Sequence, residues 1–356
     1  MLDATIRTID FCDVVDERLQ RGISSEFEDQ LTRGILWPIL QRLQHDDTLS
    51  LEIRNGYIDI YYRGGRLLNV RANASATKFA AYFDVNYCHD HEWCPAPPPR
   101  PDRTIASRED AEAWVDVFAA HKQIMDLHFC LRPKIEREYQ QAVVRDNNRH
   151  NTGERSDYFI VDVEYAQSPR AFPQRKADYR FDMIGFRWPL KRGERGGTVT
   201  PVIMEMKAGD AALASSCGLA DHVHDIEAFL APEPGATYSG PYLLMCAELV
   251  GSFATKKRLG LPSLPKRMGA LEITEVTARP QVIFVVANHQ PASTILHREL
   301  KGLRAGTHAD YFMAKVQHTG YALFSENMVP LDKFVADLAE ASTGSRSRLS
   351  EPVVAS

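Results

Sequence analysis

No window of the chain approaches 18 consecutive apolar residues, which excludes a membrane-spanning helix. The opening, MLDATIRTIDFCDVVDERL, lacks the uninterrupted apolar core of a secretory signal and carries acids instead. A cytoplasmic protein is therefore expected. An excess of positive charge is also absent: 42 Lys+Arg against 47 Asp+Glu leave a net charge of −5. A nucleic-acid partner would then need a local basic surface. No repeat and no CxxC pair occurs, so reduced, mostly structural cysteines are expected. What is present is 44% apolar and 25% charged residues over 356 positions, enough for a large globular fold with a real core.

One cluster, Cys88-His89-Asp90-His91-Glu92-Trp93-Cys94, holds residue types that bind zinc. Zinc sites usually draw ligand pairs from separate parts of a fold. Here all candidates fall within seven residues just before CPAPPPRPDR. A polar loop is the expected reading.

The patterning divides the chain. Residues 13–44 repeat Leu19, Ile23, Phe27, Leu31, Ile35, Ile39 and Leu40 near a helical period, with Ser24 and Ser25 able to restart the helix after Gly22. LSLEIRNGYIDIYYRGGRLLNVRA then alternates apolar and polar residues across Asn55-Gly56 and Gly64-Gly65. This predicts a three-stranded meander over 49–71. The proline-rich 94–103 is extended and marks a boundary. Helices are expected over 107–129 and to about 146. Three strands follow at 157–167, 179–188 and 201–209, then a helix at 218–231 and a strand at 282–289. Residues 311–324 add a possible pair of strands, and a helix covers 331–341. This is an α/β order. It gives an N-terminal α+β region over 1–100, a second domain over 101–341 and a disordered tail over 342–356.

Chemistry concentrates on the three central strands. Asp162 and Glu164 lie on the first, Asp182 on the second, Glu205 and Lys207 on the third. Residues two apart on a strand share a face, so Glu205 and Lys207 do, with Met206 opposite. The apolar flank PVIM makes this a buried strand, where unpaired charge is costly. Two carboxylates near a lysine suit metal-assisted phosphodiester cleavage: the acids hold Mg²⁺, and the lysine orients water or stabilises the transition state.

Asp182 in RFDMIGF and Glu205-Met206-Lys207 in VIMEMKAG resemble the motif of the PD-(D/E)xK nuclease superfamily, over roughly 131–290. Phe181 stands where that family often has proline. The resemblance implies a restriction-endonuclease-like core, a central mixed sheet flanked by helices, carrying the N-terminal extension. It implies Mg²⁺ as cofactor, with Mn²⁺ able to substitute. Asp182, Glu205 and Lys207 would be catalytic and Asp182 and Glu205 metal-binding. Glu164 would assist as a ligand, with Asp162 competing for that role. The family's helical glutamate would be Glu136 or Glu138, the latter expected beside the site. Its helical polar residue, commonly glutamine, would be His222.

Two features suggest a nucleic-acid partner, DNA in the first instance. KKRLGLPSLPKR (256–267) carries five Lys/Arg and no acid, so Lys256, Lys257 and Arg258 are expected to meet phosphates from a turn-rich loop. Arg54, Arg63, Arg66 and Arg71 stand among Tyr57, Tyr61 and Tyr62, a pattern that also serves base stacking. A nuclease of bacterial defence or restriction is the expected setting, with a homo-oligomer or a defence partner protein in keeping with it. The rival is a catalytically inactive binding or assembly protein on a nuclease-like fold.

Overall fold

The chain builds two sheets, and a computed structural model describes residues 5–7, 19–88, 101, 103–148, 155–168, 178–189, 196–213, 218–261, 266–288, 294–314 and 323–348. β1 (Thr5–Arg7) joins the larger sheet. The expected helix over 13–44 is two shorter helices in its described part, α1 (Ser25–Thr32) and α2 (Trp37–His45). Ser24 caps α1 by accepting from Phe27 N. The break follows from Gln30, whose Oε1 takes the Ile35 amide at 3.0 Å in place of a helical carbonyl. Pro38 then sits in the first turn of α2, where a missing N–H costs nothing.

The meander forms as patterned: β2 (Leu49–Ile53), β3 (Tyr57–Tyr62) and β4 (Gly65–Ala72) pair antiparallel. β5 (Phe79–Tyr82) and β6 (Thr104–Ile105) extend it to five strands. The β3–β4 turn is centred on Arg63 and Gly64, both at positive φ (49° and 72°), as a tight hairpin requires. α3 (Arg108–Asp116) opens with a capping box between Ser107 and Asp110. α4 (Phe118–Leu131) follows, and both helices cover the meander. Trp114, Phe118, Ile124, Met125 and Phe129 share one buried cluster with Phe27, Leu31, Ile58 and Phe79. Apolar packing around the meander thus runs past the proline-rich stretch to Phe129 and also takes in Leu259 and Leu261.

α5 (Ile135–Asn148) leads to the second sheet. β7 (Tyr158–Gln167), β8 (Tyr179–Arg187) and β9 (Thr198–Ala208) run antiparallel in turn. The short α6 (Asp210–Leu213), then α7 (Leu219–Leu230), α8 (Gly240–Arg258) and α9 (Lys266–Gly269) cross over. β10 (Glu275–Thr277) and β11 (Gln281–Ala287) both lie parallel to β9. After α10 (Ile295–Leu300), β12 (Asp310–Ala314) lies parallel to β11. β13 (Met328–Pro330) is antiparallel to β12, and α11 (Leu331–Arg348) closes the described chain. With β1 antiparallel to β10, this mixed sheet has eight strands. The fold is α/β, with a mixed sheet and a separate antiparallel one.

α7 and α8 cover one face of the large sheet, where Ile203 and Phe284 meet Ile226, Phe229, Leu249 and Phe253. α5 covers the other, where Met183, Met204 and Met206 meet Val143 and Val144. The alternation along β9 is therefore the expected one, with Met204 and Met206 on one face and Ile203 and Glu205 on the other.

α8 is absent from the sequence expectation. The part of 256–267 that is described is not turn-rich at its start: Lys256, Lys257 and Arg258 form the last turn of this helix, where cations complement the carbonyl end. Of the Cys88–Cys94 cluster, Cys88 is half-buried and residues 89–94 lie outside the described residues. The expected tail is helical to residue 348, and 349–356 also fall outside. No described helix is long and apolar enough to cross a membrane.

Candidate metal centre

Hairpin register brings the two motif acids together. Met183 faces Met204 and Ile184 faces Ile203, so Asp182 continues the ladder beside Glu205. Asp182 Oδ2 accepts the Met206 amide at 2.7 Å, which fixes its carboxylate against the edge of the ExK segment. The Asp182 carboxyl lies close enough to Glu205 for its charge to act on that acid. Glu205 is only 2% exposed, and its Oε1 is buried without a hydrogen-bond partner. Lys207, also buried, stands two residues on along β9 and adds a favourable charge to both acids. From α7, His222 Nδ1 approaches Glu205 Oε2 at 3.4 Å.

This geometry raises the proton affinity of both acids. Burial pushes Asp182 up to about 6; the Met206 amide and Lys207 oppose the rise, and Glu164 and Glu136 add to it. Glu205 is driven well above the carboxylate range by burial and then by the adjacent Asp182 charge. Two neighbouring acids, one of them fully buried, cannot both ionise cheaply unless a cation joins them.

The helical acid at this end of the sheet is Glu136, whose Oε1 accepts the Ala208 amide at 3.3 Å. Glu138 is not beside the site. One helical turn cannot aim both residues the same way, and Glu138 pairs with Arg63 at 2.7 Å. Glu164, on β7, stands opposite Asp182 of β8, at a positive φ of 52°, with its Oε2 paired to Arg137 at 2.9 Å. Asp162 does not compete for the site. It is buried between Arg21, at 2.8 Å, and Arg54. Burial alone would raise its pKa, but the two guanidinium groups overcome this and hold it low.

The basic residues expected to meet phosphate are engaged within the protein. Lys256 is buried, donating to Glu52 at 3.0 Å and to Val161 O at 2.7 Å. Lys257 donates to Leu271 O and Arg258 to both oxygens of Glu28. Among the meander arginines, Arg54 is buried beside Asp162 and Asp59, Arg63 pairs with Asp126 and Glu138, and Arg71 covers the Tyr57 ring at 4.1 Å. Basic sequence here is mostly internal wiring.

Among the described residues, no three or more His, Cys, Asp or Glu side chains stand close enough to hold a metal ion by themselves. The donor set is two carboxylates. That set suits Mg²⁺, which commonly takes one or two carboxylates and completes its shell with water and substrate phosphate. The partnerless Glu205 Oε1 fits the same ion, because a buried carboxylate oxygen without a donor is otherwise a cost. Comparison with protein-family models, curated proteins and solved structures gave no match to this chain.

Proposed function

We propose that this chain is a Mg²⁺-dependent nuclease that hydrolyses phosphodiester bonds, with DNA as its substrate. The observation that carries the proposal is the placement of half-buried Asp182 beside buried Glu205 on adjacent strands, with Lys207 on the same strand and face as Glu205. The resemblance of RFDMIGF and VIMEMKAG to the PD-(D/E)xK motif supports it. Asp182 and Glu205 would hold the ion, and Mn²⁺ would serve in its place. A bound Mg²⁺ supplies charge neutralisation at the phosphate and lowers the pKa of water. Lys207 then donates to the attacking water or to the phosphate oxygens as negative charge develops. His222 keeps Glu205 oriented and faces the same space. The hydrogen bond that the Met206 amide donates to Asp182 holds the first acid in place before substrate arrives, so little reorganisation accompanies the reaction.

The rival reading, an inactive nucleic-acid-binding or assembly protein, accounts less well for a buried Glu205 placed beside Asp182. Incubation with plasmid, linear duplex, single-stranded DNA and RNA, each with Mg²⁺, Mn²⁺ or EDTA, separates the two. Cleavage of DNA with either metal and none in EDTA supports the nuclease. Binding without cleavage under every condition supports the rival.

A further inference from the structure

A cavity of about 390 Å³ opens where the two sheets meet, lined by none of Asp182, Glu205, Lys207 or His222. One wall is the edge strand of the meander, including Leu49, Ser50 and Leu51. The other is α5, through Tyr139, Ala142 and Val144. Its volume lies within the range of small-molecule sites, roughly 300–1,000 Å³.

The charge pattern of the walls selects the occupant. Glu52 is paired with Lys256 at 3.0 Å, Arg63 with Glu138 at 2.7 Å, and Arg145 with the neighbouring Asp146 at 3.0 Å. Asp47 is the remaining charged residue of the lining and is exposed; elsewhere a charged ligand would have to break one of these pairs to gain a partner. An uncharged ligand meets satisfied charges at its polar edge and apolar surface elsewhere, from Phe159, Leu261 and the two tyrosines Tyr62 and Tyr139. Rings pack well against such aromatic walls.

We propose that this cavity is a binding site for an uncharged, ring-bearing small molecule of about nucleoside size. The inference is independent of the nuclease reading. It has a structural consequence: the ligand rests on α5, the helix that carries Glu136 to the end of β9.

Fluorescence titration with N-phenyl-1-naphthylamine, an uncharged two-ring probe, tests the site on the full chain. One saturable site per chain is expected. Ala142→Leu and Ser50→Leu fill the cavity from opposite walls, and each should weaken binding on the order of tenfold with circular dichroism unchanged. Two variants guard against a failure to fold in either one. A control removes the exposed Leu131 and Ile135, 47% and 45% accessible, which could adsorb the probe instead. The Leu131→Ser/Ile135→Ser double variant should bind as the parent does, and hydrogen exchange should slow in α5 when probe is added. Unsaturable binding, full affinity in both folded cavity-filling variants, or loss of binding in the control would overturn the proposal.

Discussion

The placement of Asp182 beside Glu205 makes a test in solution without any substrate. Asp182, at about 6, lies above the ordinary carboxylate value of about 3.9. Its raised pKa means that the fold favours the protonated acid. The associated stability is full below the unfolded pKa and is lost as pH rises through the folded one, between about 4 and 6. Thermal unfolding without metal should therefore lose stability across that window. Added Mg²⁺ should restore it above pH 6 in the parent and far less in Asp182→Asn. Lys207 tests the chemistry. Lysine is no ligand for a hard cation, so Lys207→Ala should keep metal binding while cleavage falls on the order of 10²–10³-fold. Stopped-point cleavage assays beside calorimetric Mg²⁺ titration separate the two effects. That these three residues lie side by side was legible because acids and a lysine interrupt neighbouring apolar strands, Glu205 and Lys207 at a two-residue spacing. Glu138 was misassigned because helical phase cannot be read to a single residue from KIEREYQQ alone, and Glu136 takes the place beside β9.

At the scale of elements, local rules and long-range packing part ways. The meander was readable because Asn55-Gly56 and the glycines at 64 and 65 punctuate strict alternation. Gly64 carries a further burden that sequence does not reveal. It sits at φ 72°, and a Cβ there would come within 2.5 Å of the Arg137 backbone. Gly64→Ala should destabilise the protein by about 1–3 kcal/mol, because it adds left-handed strain to a clash between the β3–β4 turn and α5. Urea unfolding measures that loss. α8 escaped detection because apolar residues surround it: Leu244, Met245, Cys246, Leu249 and Phe253 are all buried, leaving no clean polar stripe. With the helix unseen, its basic last turn read as a loop. The charges of that turn are satisfied by Glu52 and Glu28, more than 200 residues away in sequence, and no local pattern encodes such partners.

Across the whole molecule, buried ion pairs join the N-terminal sheet to the α/β sheet. Asp162 on β7 binds Arg21 and Arg54, while Lys256 on α8 binds Glu52 on β2. Removing Asp162 would take the ion-pair partner from buried Arg21 and leave buried Arg54 with Asp59 alone. Asp162→Ala should cost about 3–5 kcal/mol, the usual range for breaking one side of a buried pair, with both sheets losing protection in hydrogen exchange. The α/β order was readable from the succession of strand and helix patterns, whereas the way one sheet is fastened to the other was not. The central claim is the proposed Mg²⁺ site at Asp182 and Glu205. Plasmid cleavage measured against Mg²⁺ concentration, for the parent chain and for Asp182→Asn, tests it most directly. The account predicts saturable Mg²⁺-dependent cutting by the parent, and a variant that needs much more Mg²⁺ and recovers partly when it is supplied. Equal cutting by both proteins at every Mg²⁺ concentration, or no cutting by the parent at any, would contradict it.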